Sequence, residues 1–492
     1  MQNRLLDQVR SFLQQRNVEG YLVGGYVRDL VSGRPTNDID IAVMGKAIPL
    51  ARRLADAIGG HFVLLDPQND IARVVAGNGN IYVDVSSLRG NDLPTDLAAR
   101  DFTFNALAIP LAAADPKQIT DLFGGLSDLR AKTVRAVSDR AFRDDPLRLV
   151  RAVRFAVQFG YSIEPHTYSL IQRDAGLLAN VAAERVRDEL VRILSAPGAW
   201  SNLHLLDDLH LLAVILPEVD DLRGVSQPPQ HYYDVFTHTL AVVDAVEETL
   251  IACRVADIGK RPPGPPHAPL PVGVLGQVAE NVRPHLAEVI SADRSRLLTL
   301  KLAALFHDIA KPRTRTVDEQ GKVHFYNHPQ EGVAMSEQAM RRLRFSLREI
   351  HIVKTMVLNH MRPAQIAADP QATPKAIYRY FRDTGREGID TLFLSLADHI
   401  GTRGPRLDPA GWWQHAQFTR LLLEYYVAQP EKNTPLPRLI TGHDVMKAFK
   451  IPPGPRVGEL LEEVREAQAV GEIHTREEAL ELVAERLKEK EA

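Results

Sequence analysis

The 492-residue chain has a single cysteine, Cys253, so it cannot close a disulfide within itself and suits a reducing compartment. It has no excess of one charge: 59 Lys and Arg face 62 Asp and Glu, so any anionic partner must be held by local basic patches and not by an overall field. No apolar run approaches the ~20 residues that a membrane-spanning helix needs, and no membrane association is expected. The opening MQNRLLDQVRSFLQQRN alternates apolar and polar residues at helical spacing and lacks the continuous apolar core of an export signal. A surface helix and a cytoplasmic location are expected. Internal repeats and low-complexity segments are absent, and no feature of the sequence specifies an oligomeric state.

What is present is a globular composition, 45% hydrophobic and 25% charged, over a length that implies three or four structural units. Residues 1–135 interleave helical periods with β-branched stretches (YLVGG, DIDIAV, HFVLLD, ARVVAG, IYVDVSS, LAIPL), which predicts an α/β sheet with helices on one face. From about residue 136 strand signals nearly vanish. Helices are expected through 136–200, through a body over 201–430 and through a charged tail over 431–492. KRPPGPPHAPLPVGV (260–274) is read as a loop, because its prolines lack backbone donors and fix φ. Two basic stretches are candidates for nucleic-acid contact: a helix carrying Arg140, Arg143, Arg148, Arg151 and Arg154, and RRLRFSLR at 341–348.

The strongest signal is GGYVRDLVSGRPTNDIDIAV. Gly24 and Gly25 follow a strand and open a helix, where bare backbone N–H groups can approach a triphosphate. Arg28, one turn on, could reach the same phosphates. Asp38 and Asp40 stand two apart in a strand, so both carboxylates project from one face and repel unless a cation lies between them. Such hard oxygen ligands suit Mg²⁺. Asp84, on a later strand, is the candidate third carboxylate of a site for two Mg²⁺ ions.

These residues resemble the class II tRNA nucleotidyltransferases and bacterial poly(A) polymerases of the polymerase-β-like superfamily. RDFTFNALA (100–108) is similar to the family's second motif, which implies that Arg100 and Asp101 contact ribose and phosphates and that Asn105 supports the site. DLFGGLSDL (121–129) resembles its connector between head and neck. DDPLRLVRAVRF (144–155) resembles its base-selecting motif, with Asp144 where the family usually has Glu. Glu184 and Arg185 resemble the neck residues that brace it. Asp145 and Arg148 are three apart, hence expected on one helical face, and together can present an acceptor and donors to the edge of C or A. Arg151 and Arg154 would hold phosphates or pack beneath. The resemblance implies an α+β protein with a nucleotidyltransferase head, an all-helical neck, a body and a tail.

In the helical half His238, His307-Asp308 and Asp398 occur in the order of the HD phosphohydrolase superfamily, with His328 and His360 where some members bind a second ion. That resemblance places an HD domain at about 225–405. It implies a divalent transition metal (Mn, Ni, Co or Fe) or Mg²⁺, and either hydrolysis of a phosphoester or a scaffold for RNA. Lys311 beside the His-Asp pair could contact a phosphate. The family implies tRNA, CTP and ATP as partners and addition of CCA to the tRNA 3′ end. Only GNDLPTDLAA separates Arg89 from Arg100, where many complete CCA-adding relatives carry a longer loop, so addition of CC alone or A alone is the alternative. A poly(A) polymerase is the weaker one, since those enzymes typically have a basic tail and no HD constellation.

Overall fold

The computed structural model describes residues 2–79, 81–113, 115–368, 373–428 and 437–489. The chain forms two compact units, one of Met1–Ala196 with Leu205–Ile215 and the other of Pro197–His204 with Leu216–Ala492.

In the first unit all six expected strands form, as β1 (Gly20–Val23), β2 (Asp38–Val43), β3 (His61–Asp66), β4 (Ile71–Ala76), β5 (Ile81–Ser87) and β6 (Leu107–Pro110), followed by a short β7 (Thr120–Asp121). They make one sheet in the order β3-β4-β5-β2-β1-β6-β7. Pairing is antiparallel except between β2 and β5, whose parallel register sets Asp38 beside Tyr82 and Asp40 beside Asp84. Along β2, Ile39 and Ile41 are buried, Asp38 is exposed and Asp40 half-buried, the alternation that a pleated strand imposes. Helix α1 (Gln2–Gln14) buries Leu5, Leu6, Val9, Phe12 and Leu13, a stripe at helical spacing. Helix α2 (Gly24–Val31) starts directly from β1, and α3 (Ala47–Ile58) stops at Gly59, whose φ of 66° is left-handed.

The neck clusters with the head, so the expected boundary near residue 135 is not a break between compact units. The reason is aromatic packing: Phe155 meets Phe102 and Phe104 edge-on, at centroid separations of 5.6 and 5.4 Å. The basic helix expected through Arg140–Arg154 is two helices, Ala141–Asp144 and Leu147–Phe159. Asp145 is extended between them (φ −148°), because the residue before a proline is driven out of helical backbone. Asp145 and Arg148 therefore do not share a helical face. A two-residue parallel pairing of Thr133–Val134 with Ser162–Ile163 also departs from the all-helical expectation.

The second unit is built around the helix Val235–Ala252, buried along most of its length, which packs against Arg296–Phe306 and Glu387–Arg403. The 260–274 segment contains neither helix nor strand, as its prolines require. Two hairpins, Val289–Ser291 with Arg294–Ser295 and Arg315–Val317 with Val323–Phe325, interrupt the expected helices. The 341–348 stretch is not a free basic patch. Arg341 pairs with Glu337, Arg342 with Glu218 and Arg348 with Glu288. The tail helices Gly442–Phe449, Pro455–Ala469 and Arg476–Glu489 enclose their own core, centred on Val445, Leu460, Ala479 and Val483. Among the described residues no helix is long and apolar enough to cross a membrane.

Candidate active site and metal centre

At the junction of β1 with α2 the chain turns sharply toward Asp40. Gly24 has φ 63°, and a Cβ there would meet the Arg100 guanidinium at 2.9 Å. A Cβ on Gly25 would lie 3.2 Å from Asp40 Oδ2. The left-handed backbone calls for glycine at Gly24, and both glycines leave room for the approach of Arg100 and Asp40. The Tyr26 N–H donates to Asp40 Oδ2 at 3.2 Å. Burial, and after it the neighbouring Asp84, push the Asp40 carboxyl up to about 6. Arg100 and the Tyr26 N–H act against the shift, and Asp38 adds to it.

These residues open on a cavity of about 370 Å³. Gly24, Gly25, Asp40, Asp84, Arg100, Asp101, Asn105, Asp145, Arg148 and Arg151 all line it, from the sheet, the 96–105 segment and the neck. Three expected residues do not. Asp38 stands exposed at the start of β2, outside the wall. Arg28 is turned inward: its guanidinium donates to Asn105 Oδ1 at 2.9 Å and to Asp29, and lies over the Phe159 ring at 4.9 Å. Arg154 is paired with Glu189 at 2.5 Å.

Asp84 reaches the cavity, but both its oxygens accept from Arg73, at 2.7 and 2.8 Å. The three head carboxylates do not form a group with all ligand atoms within 4.8 Å of one another. Asp101 accepts from Arg151 at 2.6 Å and from the Asn105 amide at 2.9 Å. Burial alone would raise its pKa, but Arg151 and Asn105 outweigh burial and bring it down to about 2. Arg148 donates to the carbonyls of Ala99 (2.6 Å), Arg100 (3.0 Å) and Ala141 (3.2 Å), and Arg185 reaches Asp145 Oδ2 at 3.1 Å. Asp145 and Arg148 are therefore braced from two sides. Asp96, buried, holds Arg100 by bonds of 2.8 and 3.0 Å.

Sequence reading missed Asp96 and Arg73. The four-residue spacing of Asp96 and Arg100 was available as a signal, although the helix Leu93–Ala98 ends before Arg100. The Arg73–Asp84 pair depends on the register of β4 against β5, which no local pattern carries.

In the second unit the six His and Asp residues converge as two groups, His238–His307–Asp398 and Asp308–His328–His360, each with its ligand atoms within 4.8 Å of one another. His238 Nε2 lies 3.2 Å from His307 Nε2, 3.3 Å from Asp308 and 3.2 Å from Asp398. His328 Nε2 lies 3.4 Å from both His360 Nε2 and Asp308 Oδ1. His307, His328 and His360 engage the carbonyls of Ala304, Phe325 and Val357 through Nδ1, which orients Nε2 inward. Burial would raise Asp308's pKa, yet His307 and Lys311 hold it well below the usual carboxylate range. This donor set fits divalent metal, and Asp308, facing one group through each oxygen, is placed to join the two groups. Lys311 is taken by Asp308 at 2.5 Å and Gln227 at 2.7 Å.

Residues 20–135 match the family described as Poly A polymerase head domain, 160–222 the Probable RNA and SrmB-binding site of polymerase A, 275–402 the HD domain and 435–484 the tRNA nucleotidyltransferase domain 2 (putative). The chain is 33% identical over 465 residues to the A-adding tRNA nucleotidyltransferase of Deinococcus radiodurans, covering 93% of each chain. It is 31% identical over 482 residues to the CC-adding tRNA nucleotidyltransferase of Geobacter sulfurreducens, covering 97% of this chain and 94% of that one. Among solved structures it is similar in fold to the Thermotoga maritima CCA-adding enzyme complexed with tRNA, with a TM-score of 0.57, 23% identity and coverage of 98% of this chain and 94% of that one.

The matched regions and relatives define a tRNA nucleotidyltransferase that carries an HD domain. The chain belongs to the tRNA nucleotidyltransferase family.

Proposed function

We propose that this protein adds CCA, as C, C and then A, to the tRNA 3′ end from CTP and ATP in the cytoplasm, releasing pyrophosphate. The observation that carries the reading is the single cavity in which Asp40, Arg100, Asp101, Asn105, Asp145 and Arg148 meet. The crowded carboxyl of Asp40, raised to about 6, fits a site made for a cation. Asp40 would hold Mg²⁺ there, with Asp38 joining from the exposed start of β2 and Asp84 once Arg73 releases it. Two Mg²⁺ ions would activate the RNA hydroxyl and neutralise the triphosphate.

The remaining work falls to the chain's own groups. Gly24 and Gly25 leave backbone room for the phosphates, and Arg100 supplies charge beside them. Asp145 and Arg148 select the base. A wrong base that leaves either group unpaired loses roughly 1–3 kcal/mol. Asp101 and Asn105 fix the ribose, and Arg151 holds Asp101 in place.

A second reading, addition of CC alone or A alone, is favoured by the short 89–100 segment and by full-length relatives of both specialised kinds. Incubation of the protein with end-trimmed tRNA, Mg²⁺ and labelled CTP or ATP decides between them. The CCA reading expects C, C and A and then arrest. Arrest at CC, or A incorporation only on tRNA ending in CC, supports the alternative. An open ladder of A would mark a poly(A) polymerase, and no incorporation would reject the class.

For the HD centre we propose a metal-dependent phosphohydrolase. His238, His307 and Asp398 would hold one ion and Asp308, His328 and His360 another, a transition metal (Mn, Ni, Co or Fe) or Mg²⁺. A phosphate or cyclic phosphate at a damaged RNA end is its substrate.

A further inference from the structure

In the head sheet β4, β5 and β2 lie side by side, and their register sets Arg73 opposite Asp84 and Asp84 beside Asp40. Cross-strand partners share a face of a sheet, so one guanidinium and two carboxylates stand in a row. The charges in that row are unevenly met. Asp84 accepts from Arg73 through both oxygens, at 2.7 and 2.8 Å, in the forked geometry that binds a carboxylate most firmly. Asp40 accepts the Tyr26 N–H at 3.2 Å, and among the described residues no Lys or Arg forms an ion pair with it. The Arg73 guanidinium also lies 4.8 Å from the ring centre of Tyr82, two residues before Asp84 on the same face, which fixes its approach. Asp40 and Asp84 line the cavity and Arg73 does not, so Arg73 acts on the cavity through Asp84.

A cation shared by Asp40 and Asp84 has to take at least one Asp84 oxygen from Arg73. Two neighbouring carboxylates by themselves would draw a free cation strongly. Mg²⁺ keeps several of its waters and completes its shell from one or two carboxylates and from substrate phosphates. A guanidinium already seated on one carboxylate weakens the hold on free cation and leaves the phosphates to make up the difference. We infer that Arg73 is a positioning residue of the head, an internal counter-ion that competes with the cation for Asp84, so that the triphosphate is needed to complete the hold on the cation. This rests on the reading of Asp40 as a cation ligand. A cross-strand ion pair that served only the sheet would not set itself against cation binding.

The test titrates Mn²⁺ without nucleotide into full-length wild type, Arg73→Met and Arg73→Lys at pH 7.5, with free Mn²⁺ read by electron paramagnetic resonance. Each protein is paired with its Asp40→Asn counterpart, and the difference between the two titrations separates the head from the HD centre. Urea midpoints check the folding, and Arg73→Gln carries the same expectation should Arg73→Met not fold. Arg73→Met should bind Mn²⁺ at the head about tenfold more tightly than wild type, because the charged hydrogen bonds to Asp84 no longer compete. Arg73→Lys keeps the charge without the fork and should stay within about threefold of wild type. Equal or weaker binding by Arg73→Met overturns the inference, as does a gain in Arg73→Lys as large as that in Arg73→Met. Mn²⁺ binding that Asp40→Asn removes from neither wild type nor Arg73→Met rejects the cation site itself, and this inference with it.

Discussion

Arg151 closes on Asp101 with two hydrogen bonds, of 2.6 and 3.1 Å, and so joins the long neck helix to the turn that carries Asn105. Asp101 is buried, and a buried carboxylate left without its partner costs several kcal/mol. Arg151→Ala should therefore destabilise the first unit by about 3 kcal/mol, read as a lower midpoint in urea, while Arg151→Lys recovers part of the loss. The pair also sets an acid limit. Because the folded carboxyl sits at about 2, below its ordinary 3.8, its contribution is complete above about pH 4 and is lost as pH falls toward 2. The acid limb of a stability–pH curve should flatten in Asp101→Asn. An unchanged limb would mean that the pair carries no such role.

Asp40 has the opposite sign. Its folded carboxyl titrates near 6, above its ordinary 3.8, so ionising it costs stability as pH rises from about 4 to 6. In EDTA at pH 7.5, Asp40→Asn should be more stable than wild type by on the order of 1–2 kcal/mol. Added Mg²⁺ should stabilise wild type and erase the difference. The same variant should lose nucleotide addition by at least about a thousandfold. Retention of activity would remove the proposed cation site.

Arg185 meets Asp145 at 3.1 Å, and Arg148 is anchored to three backbone carbonyls, so the two proposed base-reading groups are fixed from different sides. Arg185→Ala should leave Asp145 loosely held. The expected result is about tenfold less discrimination of CTP over UTP, in kcat/KM, with little change in stability. Equal discrimination by both proteins would assign Arg185 elsewhere.

The HD centre presents two ligand groups that meet at Asp308. His360→Ala should bind one equivalent of Mn²⁺ fewer than wild type in elemental analysis after dialysis. Asp308→Ala should lose both ions and all phosphoester hydrolysis, yet add nucleotides to tRNA at the wild-type rate. A coupled loss of both activities would refute two independent centres.

Much of this was legible in the chain. Periodicity placed six strands of the sheet, because a strand half-buried on one side must alternate. The GG turn and Asp40 could be named from residue type and order, since their chemistry is local, and the 100–105 motif from its resemblance to the family. The six candidate metal ligands of the HD domain could be gathered through the resemblance of their order to the HD superfamily. The hydrogen-bond partners of Arg28 and Arg148 could not be read in that way. Both long side chains reach partners far from them in sequence, Asn105 for Arg28 and the carbonyls of Ala99 and Arg100 for Arg148.

The amino-acid order by itself determined the six main strands, the resemblance to the family and most of the candidate site residues, because these follow from short-range periodicity and the order of motifs. Only the tertiary structure decided which carboxylates stand free and which are paired. The Arg73–Asp84 pair exists through the register of two strands, and Arg28 finds Asn105 across the fold. Long-range packing sets such partnerships, since a guanidinium can span several ångströms to whichever buried carboxylate or carbonyl most needs a donor.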